Sequence, residues 1–117
     1  MSVLDKLNKS DKRPLNIILV GGGNVGITIT ERLSQEGHHI TVVDEDAGIV
    51  KQVSDTYDVM GIVGNGASYS VLLEAGVENA DLIIAVTPSD ELNLLCCTLA
   101  KKAGKGRAVI FGEKNGI

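Results

Sequence analysis

Asn16-Ile-Ile-Leu-Val-Gly-Gly-Gly-Asn-Val-Gly26 is the stretch whose reading decides the fold of this chain. Its first five residues, Asn16 to Val20, form an almost unbroken apolar run, the pattern of a strand buried on both faces. G-x-G-x-x-G follows at once, with Gly21, Gly23 and Gly26 as its glycines and Gly22, Asn24 and Val25 between them. Val25, Ile29 and Leu33 then recur every four residues, the spacing of one apolar helix face. In a strand–turn–helix context each glycine has a task. Gly21 permits the tight turn, Gly23 lets the main chain approach a pyrophosphate, and Gly26 omits a Cβ so that the helix can lie close on the strand. The N–H groups at the helix start, aided by the helix dipole, are then placed to hold phosphates. The bland alternative is a glycine-rich turn that holds no ligand.

Gly37 closes that helix, and His38-His39 lead into a second strand, Ile40 to Val43, ending at Asp44. Asp44 stands about twenty residues beyond the fingerprint, where the fold expects the acid that accepts both hydroxyl hydrogens of an adenosine ribose. Asp44, Glu45 and Asp46 would together repel a 2′-phosphate, which favours NAD or an adenine nucleotide over NADP. Asp44 can equally cap the next helix, and the two roles are compatible. Ile49, Val50 and Val53 give that helix its apolar face, and Asp58 to Val63 reads as a third strand. The turn Gly64-Asn65-Gly66-Ala67 falls at the same sheet edge as the first glycine loop. It either lines an adenine pocket or is a plain turn, and spacing does not separate the two.

Ser68 is expected to cap a short helix that Gly76 ends, and Leu82 to Val86 reads as the fourth strand. Thr87-Pro88-Ser89-Asp90 then opens a helix, with Thr87 as N-cap and Pro88 at the first helical position. Leu92, Leu95, Cys96, Leu99 and Ala103 form its expected buried stripe, and Ala108 to Phe111 a fifth strand. Alternating strands and helices imply an α/β fold: a Rossmann-like, doubly wound parallel sheet in a three-layer α/β/α arrangement, strand order 3-2-1-4-5. The first and fourth strands are then neighbours where the winding reverses, and ligands bind at that switch point. Residues 1–14 read as a flexible leader, with Val3, Leu4 and Leu7 among charges, and residues 15–117 as one nucleotide-binding domain.

Composition narrows the function classes. Phe111, Tyr57 and Tyr69 are the only aromatics and the net charge is −4, so neither base stacking nor a basic field supports nucleic-acid binding. Between Ile40 and Leu95 the only basic residue is Lys51, against ten acids. No apolar run has membrane-spanning length, and the polar residues 1–14 are no signal peptide, which speaks against direct membrane insertion. Cys96 and Cys97, adjacent in a helix, suit reduced buried thiols better than a disulfide; redox sensing is the lesser reading. His38 and His39 precede the second strand, away from the crevice, and point to opposite faces, a poor metal pair. Without a G-x-S-x-G elbow or a Gly-Lys-Ser/Thr after the glycines, hydrolase and P-loop readings fail. No catalytic and no metal residues are assigned, and binding without catalysis is expected.

Several segments together resemble the N-terminal nucleotide-binding domain of Trk-type potassium uptake regulators, the RCK or KTN family (TrkA-N). They are Gly21 to Gly26, Ile40-Thr-Val-Val-Asp44, Gly64 to Ala67, Leu73-Glu-Ala-Gly-Val77 and, most specific, Ala80-Asp-Leu-Ile-Ile-Ala-Val-Thr-Pro-Ser-Asp-Glu-Leu-Asn93. The resemblance implies a cytoplasmic regulatory subunit, peripheral to the inner face of the cell membrane, that binds NAD, NADH, ATP or ADP. It implies assembly as a homodimer or larger ring, and a membrane potassium transporter subunit as partner. By position, Gly21 to Val25 would hold the phosphates and Asp44 the ribose. Asn65 and Gly66 would border the adenine, and Thr87 and Pro88 the phosphate or nicotinamide end. Two departures stand out: many relatives carry an acid where Asn65 is, and Ala108 to Glu113 lacks the strand-borne basic residue some use on the ligand. Compared with complete regulators, the chain is expected to stop before the final strand and the C-terminal domain. The rival readings are a nucleotide-binding fragment of an NAD-dependent oxidoreductase and a stand-alone redox or energy sensor.

Overall fold

The computed structural model describes residues 13–104 and 107–110. Five strands, β1 (Asn16–Val20), β2 (His39–Asp44), β3 (Met60–Val63), β4 (Leu82–Ala85) and β5 (Arg107–Ile110), form one sheet in the order β3-β2-β1-β4-β5. All four pairings are parallel, and β1 lies between β2 and β4 with Ile17 opposite both Ile40 and Leu82. The helices among the described residues are α1 (Asn24–Gln35), α2 (Ala47–Tyr57), α3 (Tyr69–Glu74) and α4 (Asp90–Ala103), with a 3-10 turn at Val77–Asn79.

Alternation along the strands sorts the core into two layers, because successive side chains point to opposite faces. Ile17, Leu19, Ile40, Val42, Leu82 and Ile84 pack with Leu33 of α1 and Val53 of α2. Ile18, Val20, Val43, Ile83 and Ala85 pack on the other side with Leu72 of α3 and Cys96, Cys97 and Ala100 of α4. The sheet is thus covered on both faces, which is why β1 and β4 read as continuous apolar runs. Each large aliphatic side chain so buried contributes about 1.5–3 kcal/mol relative to exposure. This is the Rossmann-like α/β/α arrangement expected, with the strand order expected.

Several local readings need correction. Asp58 and Val59 precede β3: Asp58 ends α2 in the left-handed conformation (φ 54°), which breaks the extended run. The inward face of α1 is Gly26, Thr30 and Leu33, and Val25 is 55% exposed, because a strict four-residue step drifts off a 3.6-residue face. Likewise Leu95 is 51% exposed, and α4 buries Asn93, Cys96, Cys97 and Ala100. α4 begins two residues later than expected: Ser89, not Thr87, is its N-cap, accepting the Leu92 N–H at 3.1 Å. Pro88 is therefore outside the helix. Ser68 precedes α3 but makes no capping bond, its hydroxyl being paired with that of Ser70 at 3.0 Å. Apart from Arg13 and Pro14 the expected leader lies outside the described residues, as does Phe111 of the expected fifth strand.

Candidate functional site

The carboxyl ends of β1, β2 and β4 open onto a crevice of about 250 Å³, lined among others by Asp44, Glu45, Gly66, Thr87 and Pro88. The glycine loop adjoins it, touching two of its lining residues, Asp44 and Thr87. Gly21 leaves β1 at φ 114°, and its N–H donates to the Val43 carbonyl at 2.8 Å. A Cβ on Gly21 would lie 3.1 Å from the Thr87 nitrogen, so the glycine loop and the β4–α4 loop are in direct contact. A Cβ on Gly26 would strike the Gly21 carbonyl oxygen, which is the close approach of helix to strand that the fingerprint requires. Around Gly23 the space is open, as a position facing a ligand would be.

α1 starts at that open position without a side-chain cap: its N-cap is Gly23, and its first turn carries no acid. α2 differs, with Asp46 accepting the N–H groups of Gly48 and Ile49 at 2.8 and 3.2 Å. The first amides of α1 thus project with the positive end of the helix dipole and no carboxylate of their own helix to neutralise them.

Asp44 reaches back to the loop. Its Oδ2 accepts the Gly22 N–H at 2.9 Å and its Oδ1 the Asp46 N–H at 2.9 Å, which fixes the carboxylate between glycine loop and crevice. The capping role that Asp44 might have filled belongs to Asp46. Glu45 is exposed at the crevice rim. In the second glycine-rich turn the Gly64 N–H donates to the Asp44 carbonyl at 2.9 Å, and Gly66 packs on Val20. The exposed Asn65 turns onto its own loop, its Oδ1 accepting the Ala67 N–H at 2.8 Å.

Sequence reasoning missed Asn93. This side chain is fully buried in the first turns of α4 and holds Thr87 by three bonds. Its Oδ1 accepts the Thr87 N–H at 3.0 Å and the Thr87 hydroxyl at 2.6 Å, and its Nδ2 donates to the Thr87 carbonyl at 3.0 Å. A polar residue on an otherwise apolar helix face was the available signal.

The remaining candidates stand apart. The His38 ring is buried and its Nδ1 accepts the Leu15 N–H at 3.0 Å, a structural bond at the far end of β1. Cys96 and Cys97 are buried on α4 and are not disulfide-bonded. The hydrogen bond between them and burial push the Cys96 thiol up, while that bond and Lys101 draw Cys97 down. No described helix is long and apolar enough to cross a membrane.

A parallel sheet with a glycine loop, an uncapped helix start and an acid at the tip of β2 defines a domain of the nucleotide-binding Rossmann class. The family model of the TrkA-N domain matches residues 17–112, and the chain belongs to that family. It is 42% identical over 110 residues to the Trk system potassium uptake protein TrkA of Halomonas elongata, covering 88% of this chain and 24% of that protein. The protein of the same name from Azorhizobium caulinodans is 40% identical over 83 residues, covering 71% of this chain and 18% of that one. The chain therefore spans a quarter or less of these relatives. Among solved structures, the GsuK channel bound to NAD superposes with a TM-score of 0.72 at 21% identity, covering 91% of this chain and 20% of that one.

Proposed function

We propose that this domain is a nucleotide-sensing regulatory unit of a potassium uptake system, cytoplasmic and docked on the inner face of a membrane potassium transporter. The carrying observation is the uncapped start of α1 beside Asp44, whose carboxylate is tied to the Gly22 amide at 2.9 Å. A diphosphate on the amides of Gly23 to Val25 would place an adenosine ribose within reach of Asp44, with the adenine toward Asn65, Gly66 and Ala67; the N–H groups of Gly21 and Gly22 are already given to the Val43 carbonyl and to Asp44. Thr87 and Pro88 border the distal half of the ligand. NAD or NADH is the favoured ligand, in keeping with the NAD bound to the GsuK channel, and ATP or ADP share its ribose and phosphates.

The domain binds and does not catalyse in this reading, and assembles at least as a dimer. Ligand acts by differential affinity for two assembly states, since only that difference can shift a transporter between them. Affinity capture from membranes of the source cells, with and without NAD, tests the regulatory role. A potassium transporter subunit retained to a nucleotide-dependent extent is expected. Its absence in both arms, or turnover of a metabolite by the purified chain, contradicts the reading.

A further inference from the structure

We propose that Asn93 is the positioning residue of the crevice: acting only through Thr87, it sets the wall that receives the half of a dinucleotide beyond its first phosphate. This deepens, and rests on, the nucleotide reading above. Three features carry it. Asn93 is fully buried, so its amide has no water to fall back on, and its oxygen and nitrogen are both used on one residue, Thr87. The Thr87 nitrogen lies where a Cβ on Gly21 would meet it at 3.1 Å, so any shift of this peptide changes the gap between the two loops. Finally, both Thr87 donors, the amide and the hydroxyl, are spent on Asn93, and the Ser89 N–H donates to the hydroxyl at 3.2 Å. Thr87 therefore offers the ligand a shaped surface in place of a donated hydrogen bond.

Asn suits this task as its neighbours in size do not. Asp accepts from the two Thr87 donors but cannot donate to the carbonyl, and Leu does neither. Because Asn93 sits on α4, the clasp also makes the β4–α4 loop and the start of α4 one rigid piece, so that a ligand pressing on Thr87 presses on the helix.

The test compares the unmutated chain with Asn93→Leu and Asn93→Asp, using NAD and AMP as probes, and follows amide hydrogen exchange in the ligand-free state. AMP carries the ribose for Asp44 and one phosphate, and lacks the half of NAD that this reading sets against Thr87. Asn93→Leu should weaken NAD about tenfold, the scale of one or two lost hydrogen bonds, and AMP less than about twofold. Asn93→Asp should fall between. Exchange of the Thr87 amide should accelerate at least about tenfold in Asn93→Leu, while that of Val86, bonded to the Val20 carbonyl at 2.9 Å, should not. Leu33→Ala, a core change in the opposite layer, should lower the melting temperature and leave the ratio of the two affinities alone. Equal weakening of NAD and AMP by Asn93→Leu, or an unaltered Thr87 amide, overturns the proposal. Binding of neither nucleotide by the unmutated chain overturns the nucleotide reading and the role argued for Asn93 with it, even where Thr87 exchange confirms the clasp.

Discussion

Asp44 serves two masters, and its substitution separates them. In the free protein its carboxylate accepts two main-chain N–H groups, so Asp44→Ala leaves the amides of Gly22 and Asp46 without these partners and removes the acceptor for the ribose. Loss of charge-assisted bonds of this kind costs about 1.5–3 kcal/mol, so every adenosine ligand should bind at least about tenfold more weakly by calorimetry. Gly26→Ala tests a different property. Its methyl group would meet the Gly21 carbonyl oxygen, which is main chain and cannot rotate away. We expect a loss of about 1–3 kcal/mol in denaturant unfolding, with nucleotide binding lost as well because the turn itself must move. At this scale the turn at Gly21, the close approach at Gly26 and the place of Asp44 at the end of β2 were legible in the sequence, because they depend on spacing along the chain. Asn93 was not read: its place on an otherwise apolar helix face signals burial, but its task depends on a partner, Thr87, that only the fold brings beside it.

Helix ends are the element-scale feature that sequence reading placed least well. Thr87, Pro88, Ser89 and Asp90 offer two consistent starts for α4, and local propensity favours the earlier. Tertiary structure decides for the later one, because Asn93 holds Thr87 in the β4–α4 loop and leaves Ser89 to take the Leu92 amide. Ser89→Ala should therefore lower stability by about 1 kcal/mol, as should Asp46→Ala at the start of α2, whereas Ser68→Ala should change it little. Thermal or denaturant melts of the three variants check this ranking. Strands were read more faithfully than helix faces: β1 and β4 are buried on both sides, so each shows as a plain apolar run whatever its register. Helix faces depend on phase: Ile29 and Leu33 on α1, and Leu92, Cys96, Leu99 and Ala103 on α4, pack on the core as assigned, whereas Val25 and Leu95, also assigned inward, are exposed. The thiols of Cys96 and Cys97 face the sheet, and the raised Cys96 thiol should resist alkylation at neutral pH until the chain unfolds. Timed labelling with iodoacetamide below and above the melting temperature reads this out.

For the molecule as a whole, strand order follows from alternation of element types and right-handed crossovers, so the crevice between β1 and β4 could be located before any side chain was placed. The fold brings three separate segments, the glycine loop, Asp44 and Thr87, to one edge of the sheet. Ligand binding there must stabilise the folded state: at a hundredfold excess over the dissociation constant the gain is about 2.7 kcal/mol. The exposed Met60 and Val63 on β3, the strand at one edge of the sheet, are consistent with assembly, which sedimentation should report as a dimer or larger species. The central claim is that amides at the start of α1, with Asp44 beside them, make this crevice a nucleotide receptor. Calorimetric titration of the unmutated chain and of Asp44→Ala with NAD, NADH, ATP and ADP tests it most directly. The account predicts saturable heat at one site per chain for at least one of them, weakened at least about tenfold by the substitution. No heat from any of the four, or equal affinity in the two proteins, would contradict it.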